Sequence, residues 1–368
     1  MGQAICYHCM HEMGVGAVCP TCGRNNVETA AKQPSYALPC GSLLRDRYAI
    51  GRVLGQGGFG ITYIGYDVML QNRVCVKEYY PMGSAMRDGR SSSHVTWSTG
   101  MQPQFSEAGK QSFVNEARKA VKLRDMPSVV KVWDIFYEND TAYIVMEFVD
   151  GVTLKEHLMA KGAPMTLQEC YDALEPVMRD LQTIHSLGVI HRDISPDNLM
   201  QRSSGELALL DLGAAKDLTI QSTEASMLVA RKGFSPGEQY VQGSNIGPWT
   251  DVYALTATIY YCMTGHAPAS PMERSTGVPL NTQGMPPALA SFFQQGLALQ
   301  PKDRFKSMDE LRTAMEKLLG SGKAKAAPAK AKKQPAPTKA TEPSAPAKAA
   351  AQPAPAPRLQ AKDAPSKA

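Results

Sequence analysis

The sequence predicts an α+β protein whose main body has two unequal lobes, a smaller sheet-rich one followed by a larger helical one. Three observations predict it. Strand-like runs fill 48–79 and return at 129–149, whereas after Gly151 the pattern turns mostly helical. Four cysteines in two C-x2-C pairs crowd residues 1–27, ahead of that body. Residues 321–368 are dominated by Ala, Pro and Lys, with one leucine and no aromatic side chain. Such a tail cannot bury enough apolar surface to offset its ordering entropy and is expected to be disordered.

Composition narrows the function classes. The chain has 368 residues, 43% of them hydrophobic, and a net charge of +5. The tail carries ten Lys/Arg against two acids, so the first 320 residues sum to about −3. A body of that charge argues against nucleic-acid binding. No run of 18 apolar residues occurs, so no membrane span is expected. The opening "MGQAICYHCM" lacks a charged segment followed by an apolar one, and Cys6 stands where a myristoylation signal needs Ser or Thr. The expected compartment is the reducing cytoplasm, with the eight cysteines unpaired.

"CYHCMHEMGVGAVCPTCG" sets Cys6, Cys9, Cys19 and Cys22 in two knuckles nine residues apart. Such spacing gathers four thiolates around one tetrahedral ion, and it resembles a zinc ribbon. With all four ligands from the protein, the Zn²⁺ site should be closed and structural, its binding energy supplying the folding energy of 1–27. Redox-active pairs are the alternative, and His8 or His11 could replace a cysteine as ligand. Few basic or aromatic residues accompany the knuckles, which favours a protein partner for the ribbon. Cys40, Cys75, Cys170 and Cys262 are scattered and read as packing residues. Residues 28–42, polar and Pro-punctuated, read as a linker.

The body, 43–320, opens on "YAIGRVLG", "GITYIGYD" and "NRVCVKEY", three strands. Between the first two, Gly55, Gly57 and Gly60 have G-x-G-x-x-G spacing, where absent side chains let backbone approach phosphates. A dinucleotide-binding loop would open a helix; here a strand follows, as in a hairpin flap over ATP. Lys77 on the third strand suits phosphate pairing. Its carboxylate partner is expected to be Glu116 on a helix at 107–124, with Glu107 as the rival. The stretch 81–106 reads as an inserted loop. Strands then fit "VVKVWDIFYEN" and "TAYIVMEFV", and helices 166–187 and 249–264 follow.

"HRDISPDN" supplies Asp193 and Asn198, and "DLG" places Asp211 thirteen residues later. One carboxylate can orient and deprotonate a hydroxyl, while an amide and a second carboxylate hold Mg²⁺ on ATP phosphates. With these motifs in this order, residues 43–320 resemble a eukaryotic-type Ser/Thr protein kinase of the bacterial kind. "VKEYYP" and "GFSPGEQY" are similar to one bacterial subgroup. The resemblance implies the bilobal kinase fold, protein substrates and ATP. It implies Leu54 and Thr62 at the adenine, Met146 as gate and Glu147–Val149 as hinge. It further implies that Asp251 braces the catalytic loop and that Arg304 pairs with Glu238. An activation loop over 214–234 offers Thr219, Ser222, Thr223 and Ser226, of which one of the last three is expected to be autophosphorylated, with Arg192 holding the phosphate.

Two departures bear on chemistry. Ser195 replaces the lysine that such kinases aim at the γ-phosphate, and Arg231 replaces a threonine near the catalytic aspartate. Either Arg231 (or Lys232) supplies the missing charge, or Arg231 is a solvated loop residue and the rate is simply lower. Leu212 for the usual Phe is an apolar exchange. Rival readings are a pseudokinase scaffold and a small-molecule kinase, and tyrosine as acceptor stays open.

Overall fold

The structure, a computed structural model, describes residues 4–14, 16–88, 92–98, 103–210, 231–241 and 243–324. Of the tail expected to be disordered from 321, residues 321–324 instead continue the last helix, because the preceding 308–320 already carries a helical pattern. Residues 325–368 lie outside the described residues, as do Asp211, Leu212, Thr219, Ser222, Thr223 and Ser226.

Two short strands, β1 (Ala4–Ile5) and β2 (Glu12–Met13), pair antiparallel around the first cysteine knuckle. The residue after each second cysteine takes a left-handed corner, Met10 at φ 58° and Gly23 at φ 67°. Glycine does this freely and methionine at a cost. Met10 is held there because its side chain is buried against Gly51. Helix α1 (Asn26–Ala31) follows, capped by the Asn25 side chain, which accepts from the Val27 N–H at 2.8 Å.

The expected linker at 28–42 therefore begins inside a helix, and its remainder is folded onto the sheet. Ala37 and Leu38 are fully buried, and the Leu38 N–H donates to the Tyr63 hydroxyl at 3.1 Å. Both join the apolar cluster on that sheet face with Tyr80, Ala85 and Val95, and burying apolar side chains there ties the segment down.

The main sheet contains β3 (Leu43–Leu44), β4 (Tyr48–Gly57), β5 (Gly60–Asp67) and β6 (Asn72–Tyr79). The stretch 81–106, expected as loop, instead carries a small hairpin of β7 (Ala85–Met86) and β8 (Thr96–Trp97). Helix α2 (Pro103–Val121) comes next, starting earlier than the expected 107 and ending short of 124. Strands β9 (Val132–Glu138) and β10 (Thr141–Glu147) complete the sheet in the order β3-β4-β5-β6-β10-β9, antiparallel throughout. Phe113, Val114, Ala117 and Ala120 form the buried face of α2, with Phe113, Val114 and Ala117 in one cluster with Ile144 and Met146 of β10.

The second lobe begins with β11 (Gly151–Thr153), α3 (Leu154–Lys161) and α4 (Leu167–Ser186). Thr166 and Glu169 close a reciprocal capping box at the start of α4. Strands β12 (Leu199–Arg202) and β13 (Leu207–Leu209) pair with β11 to make a three-stranded sheet. Then come α5 (Pro248–Thr264), α6 (Pro271–Ser275), α7 (Pro287–Gly296) and α8 (Met308–Ala324). Helix α5 is buried on nearly every side and lies in the core with α4, Phe293 and Met315. Among the described residues, no helix is long and apolar enough to cross a membrane.

Candidate active site

The β4–β5 hairpin brings Gly57 opposite Gly60 and Gly55 opposite Thr62. A Cβ on Gly60 would sit 2.4 Å from the Glu78 carbonyl, so the close approach of β5 to β6 demands glycine there. Gly55 and Gly57 have open space where a Cβ would point, and Leu54 is exposed beside them. Lys77 lies mid-strand, with Thr62 as its partner on one side and Ile144 on the other. Lys77, Phe113, Glu116, Ile144, Met146 and His191 line one cavity. Glu107, the rival to Glu116, is exposed and pairs with Lys110 at the surface. Of the expected hinge, Glu147 pairs with Arg202 and Val149 is buried.

Below the sheet, Asp251 of α5 anchors the loop at 191–198. It is fully buried and accepts from the His191 N–H at 2.8 Å, the Arg192 N–H at 2.7 Å and the His185 ring at 2.8 Å. Burial works to raise its pKa, but the His185 ring and the His191 N–H outweigh it and hold the carboxyl below its ordinary range. This grip keeps Arg192 at φ 69°, a conformation a side-chain-bearing residue adopts only under constraint. The Asp193 N–H donates to His191 Nδ1 at 3.2 Å, while His191 Nε2 lies 3.1 Å from the Leu210 carbonyl, so Nε2 carries the proton. Asn198 Nδ2 donates to both the carbonyl and Oδ2 of Asp193, each at 2.8 Å. The amide thus fixes the carboxylate and leaves its own Oδ1 to accept from another group.

Arg231 meets this pair from the following segment. Its Nε donates to Asp193 Oδ1 at 3.1 Å, its Nη2 to Asn198 Oδ1 at 2.9 Å and its Nη1 to Asp197 Oδ2 at 3.4 Å. Lys232 points elsewhere and pairs with Glu273 at 2.7 Å. Ser195 is fully buried. Further on, Arg304 forks onto both oxygens of Glu238, at 2.6 and 3.0 Å.

This assembly has known counterparts. Residues 48–321 match the family model described as a protein kinase domain. The chain belongs to the protein kinase family. The kinase region resembles serine/threonine-protein kinase D of Synechocystis sp. (strain ATCC 27184 / PCC 6803 / Kazusa), with 30% identity over 298 residues, 77% of this chain and 54% of that protein. The chain is 28% identical over 340 residues to Pkn1 of Myxococcus xanthus, covering 84% of this chain and 45% of that one. The chain thus spans about half the length of these curated relatives. Among solved structures, the PpkA-294 apo form matches with a TM-score of 0.66 and 32% identity, over 76% of this chain and all of that one.

Two features of the kinase region escape the sequence. Glu78, next to Lys77, points into the core, where it binds Arg87 from the inserted stretch, the Tyr63 hydroxyl at 2.7 Å and the Tyr143 hydroxyl at 2.9 Å. Strand alternation alone signals a buried carboxylate at 78, which requires a cation, yet not which one. Burial, then the Glu78 charge, push both phenols above their ordinary pKa, so they remain donors. The second is the hydroxyl of Tyr36, from the expected linker, which donates to Gln56 beside Gly57.

Ahead of the kinase region, Cys6, Cys9, Cys19 and Cys22 present their sulfurs within 4.8 Å of one another. Cys6 and Cys22 are 3.7 Å apart, as are Cys9 and Cys19. Bonds of ~2.3 Å to one tetrahedral ion give edges of ~3.8 Å, so the set fits Zn²⁺. His8 and His11 are not part of this group.

Proposed function

We propose that this chain is an ATP- and Mg²⁺-dependent protein kinase that phosphorylates Ser or Thr hydroxyls of cytoplasmic proteins, its own activation segment included. The observation that carries the reading is the clasp of Asn198 on Asp193, in a loop whose His191 lines the same cavity as Lys77 and Glu116. In this reading Asp193 orients the acceptor hydroxyl and takes its proton. Lys77, steadied by Glu116, positions the α- and β-phosphates. Gly55, Gly57 and Gly60 cover them, while Leu54, Thr62, Met146, Glu147 and Val149 enclose the adenine. Asn198 Oδ1, once released by Arg231, is the hard oxygen donor a metal needs, and Asp211 is its proposed partner. Magnesium there would draw charge off the phosphates.

The domains proposed are a zinc ribbon at 1–27, a connecting segment at 28–42, the kinase domain at 43–320 and a tail at 321–368. A structural Zn²⁺ on the four cysteines and a protein partner for the ribbon complete the reading.

Phosphate transfer to casein and to the chain itself tests it, with Asp193→Asn and Lys77→Ala as controls. Transfer by the wild type alone, with phosphate on Ser or Thr by phosphoamino-acid analysis, is the expected result. Nucleotide binding without transfer would make the chain a pseudokinase instead. One zinc per chain by elemental analysis, lost in Cys19→Ser, is expected on the same preparation. Mass spectrometry should find phosphate on Ser222, Thr223 or Ser226.

A further inference from the structure

We infer that Arg231 is a catalytic residue: its guanidinium binds the γ-phosphate during transfer, from a position across the loop rather than within it. The inference rests on the phosphotransfer reading above. Ser195 has no part in that contact. It is fully buried, and its Oγ has no hydrogen-bond partner among the described residues. The open side of the loop is served by Arg231, whose side chain is 34% exposed.

Its backbone is held in a tight turn. The Arg231 N–H donates to Ser235 Oγ at 3.0 Å, and its carbonyl accepts from the N–H groups of Phe234 and Ser235, both at 3.0 Å. The guanidinium then bridges three acceptors, Asp193 Oδ1, Asn198 Oδ1 and Asp197 Oδ2. Asp197 also has Lys155 at 3.2 Å, so the charge of Arg231 is not consumed by that carboxylate. Of five N–H groups in the fork, three are used among the described residues, and two remain to meet a phosphate. The contact with Asn198 Oδ1 occupies the donor proposed for magnesium. When metal and nucleotide arrive, that contact must be exchanged, and a phosphate on the same metal would offer the released N–H an acceptor in its place.

In the transfer step the acceptor oxygen bonds to the γ-phosphorus as the bond from that phosphorus to the β–γ bridging oxygen breaks. ADP leaves with the electron pair, and the hydroxyl proton passes to Asp193. Charge spreads over the three equatorial oxygens of the γ-phosphoryl group, and a fixed guanidinium there stabilises it.

The test uses the full chain with Mg²⁺. Arg231→Ala should lower kcat by about 10²–10³ while KM for ATP stays within about threefold, the loss usual for one preorganised donor. Calorimetry supplies a readout apart from turnover. ADP should bind Arg231→Ala as it binds wild type, whereas ADP with aluminium fluoride, a mimic of the transferring phosphoryl group, should bind at least about tenfold more weakly. Arg231→Lys, which keeps a charge in reach, should recover part of both losses. The inference is overturned if Arg231→Ala transfers phosphate at the wild-type rate. It is equally overturned if ADP affinity falls as far as that of the fluoride complex, since Arg231 would then only hold the loop. A wild-type chain that transfers no phosphate removes the kinase reading itself and Arg231 with it.

Discussion

At the scale of single residues, the Glu78–Arg87 pair is an ion pair closed off from water. Both side chains are fully removed from solvent, and two phenols complete the carboxylate's hydrogen bonds. Arg87→Ala would strand a buried charge, at a cost of about 3–5 kcal/mol. Urea unfolding of the full chain measures this, and a loss below about 1 kcal/mol would show the pair to be dispensable. Asp251 gives a pH-dependent counterpart. Its pKa is lower folded than unfolded, so its stabilisation is present above the ordinary carboxylate range and lost as pH falls through the folded value. Asp251→Asn should therefore flatten the acid side of the stability profile while lowering stability at neutral pH. The residues proposed to carry the chemistry could be picked out because their motifs are local: Asp193 and Asn198 stand five positions apart in one loop. Arg87 was not, because a buried ion pair has no fixed spacing.

At the scale of elements, the hairpin of β4 and β5 separates two kinds of glycine. Gly60 is required by packing and Gly57 is not, since a Cβ on the first meets the Glu78 carbonyl and on the second meets nothing within 4 Å. Gly60→Ala should lower the melting temperature by several degrees, and Gly57→Ala should leave it within about one degree. Equal shifts in thermal unfolding would contradict this assignment. Strands β5 and β6 have the boundaries their alternating sequences suggest, and α4 matches 166–187 to within a residue at each end. Strong periodicity and a Thr166 cap explain that agreement. The inserted stretch failed because β7 and β8 have two residues each, too few to show a period.

At the scale of the whole molecule, the order of sheet-rich lobe and helical lobe was readable from the change of pattern after Gly151. How the cysteine module meets the first lobe was not, because that joint is made of contacts distant in sequence. The Arg52 N–H donates to the Tyr7 carbonyl at 2.8 Å, and Arg52 Nε to the His8 carbonyl at 3.2 Å. A Cβ on Gly51 would come within 2.0 Å of Met10 Cε. Gly51→Val should therefore unseat the module without touching any cysteine. Expected outcomes are faster zinc loss to a chelator and lower stability, with Cys19→Ser, which should hold no zinc, reproducing the lower stability.

Gly51 belongs to the strand that ends in Gly55 and Gly57, and this gives the Met10 contact a meaning beyond packing. The cysteine module packs on Gly51 and Arg52, and the flap proposed to cover nucleotide ends the same strand at Gly57, six positions on. A metal ion and a nucleotide that each restrain the two ends of the same strand share a free energy of coupling, and linkage makes it reciprocal. Whatever factor zinc adds to nucleotide affinity, nucleotide must add to zinc affinity. Chelator-driven zinc release should slow when ADP is bound, and an unchanged rate would show the two ends of the strand to be independent.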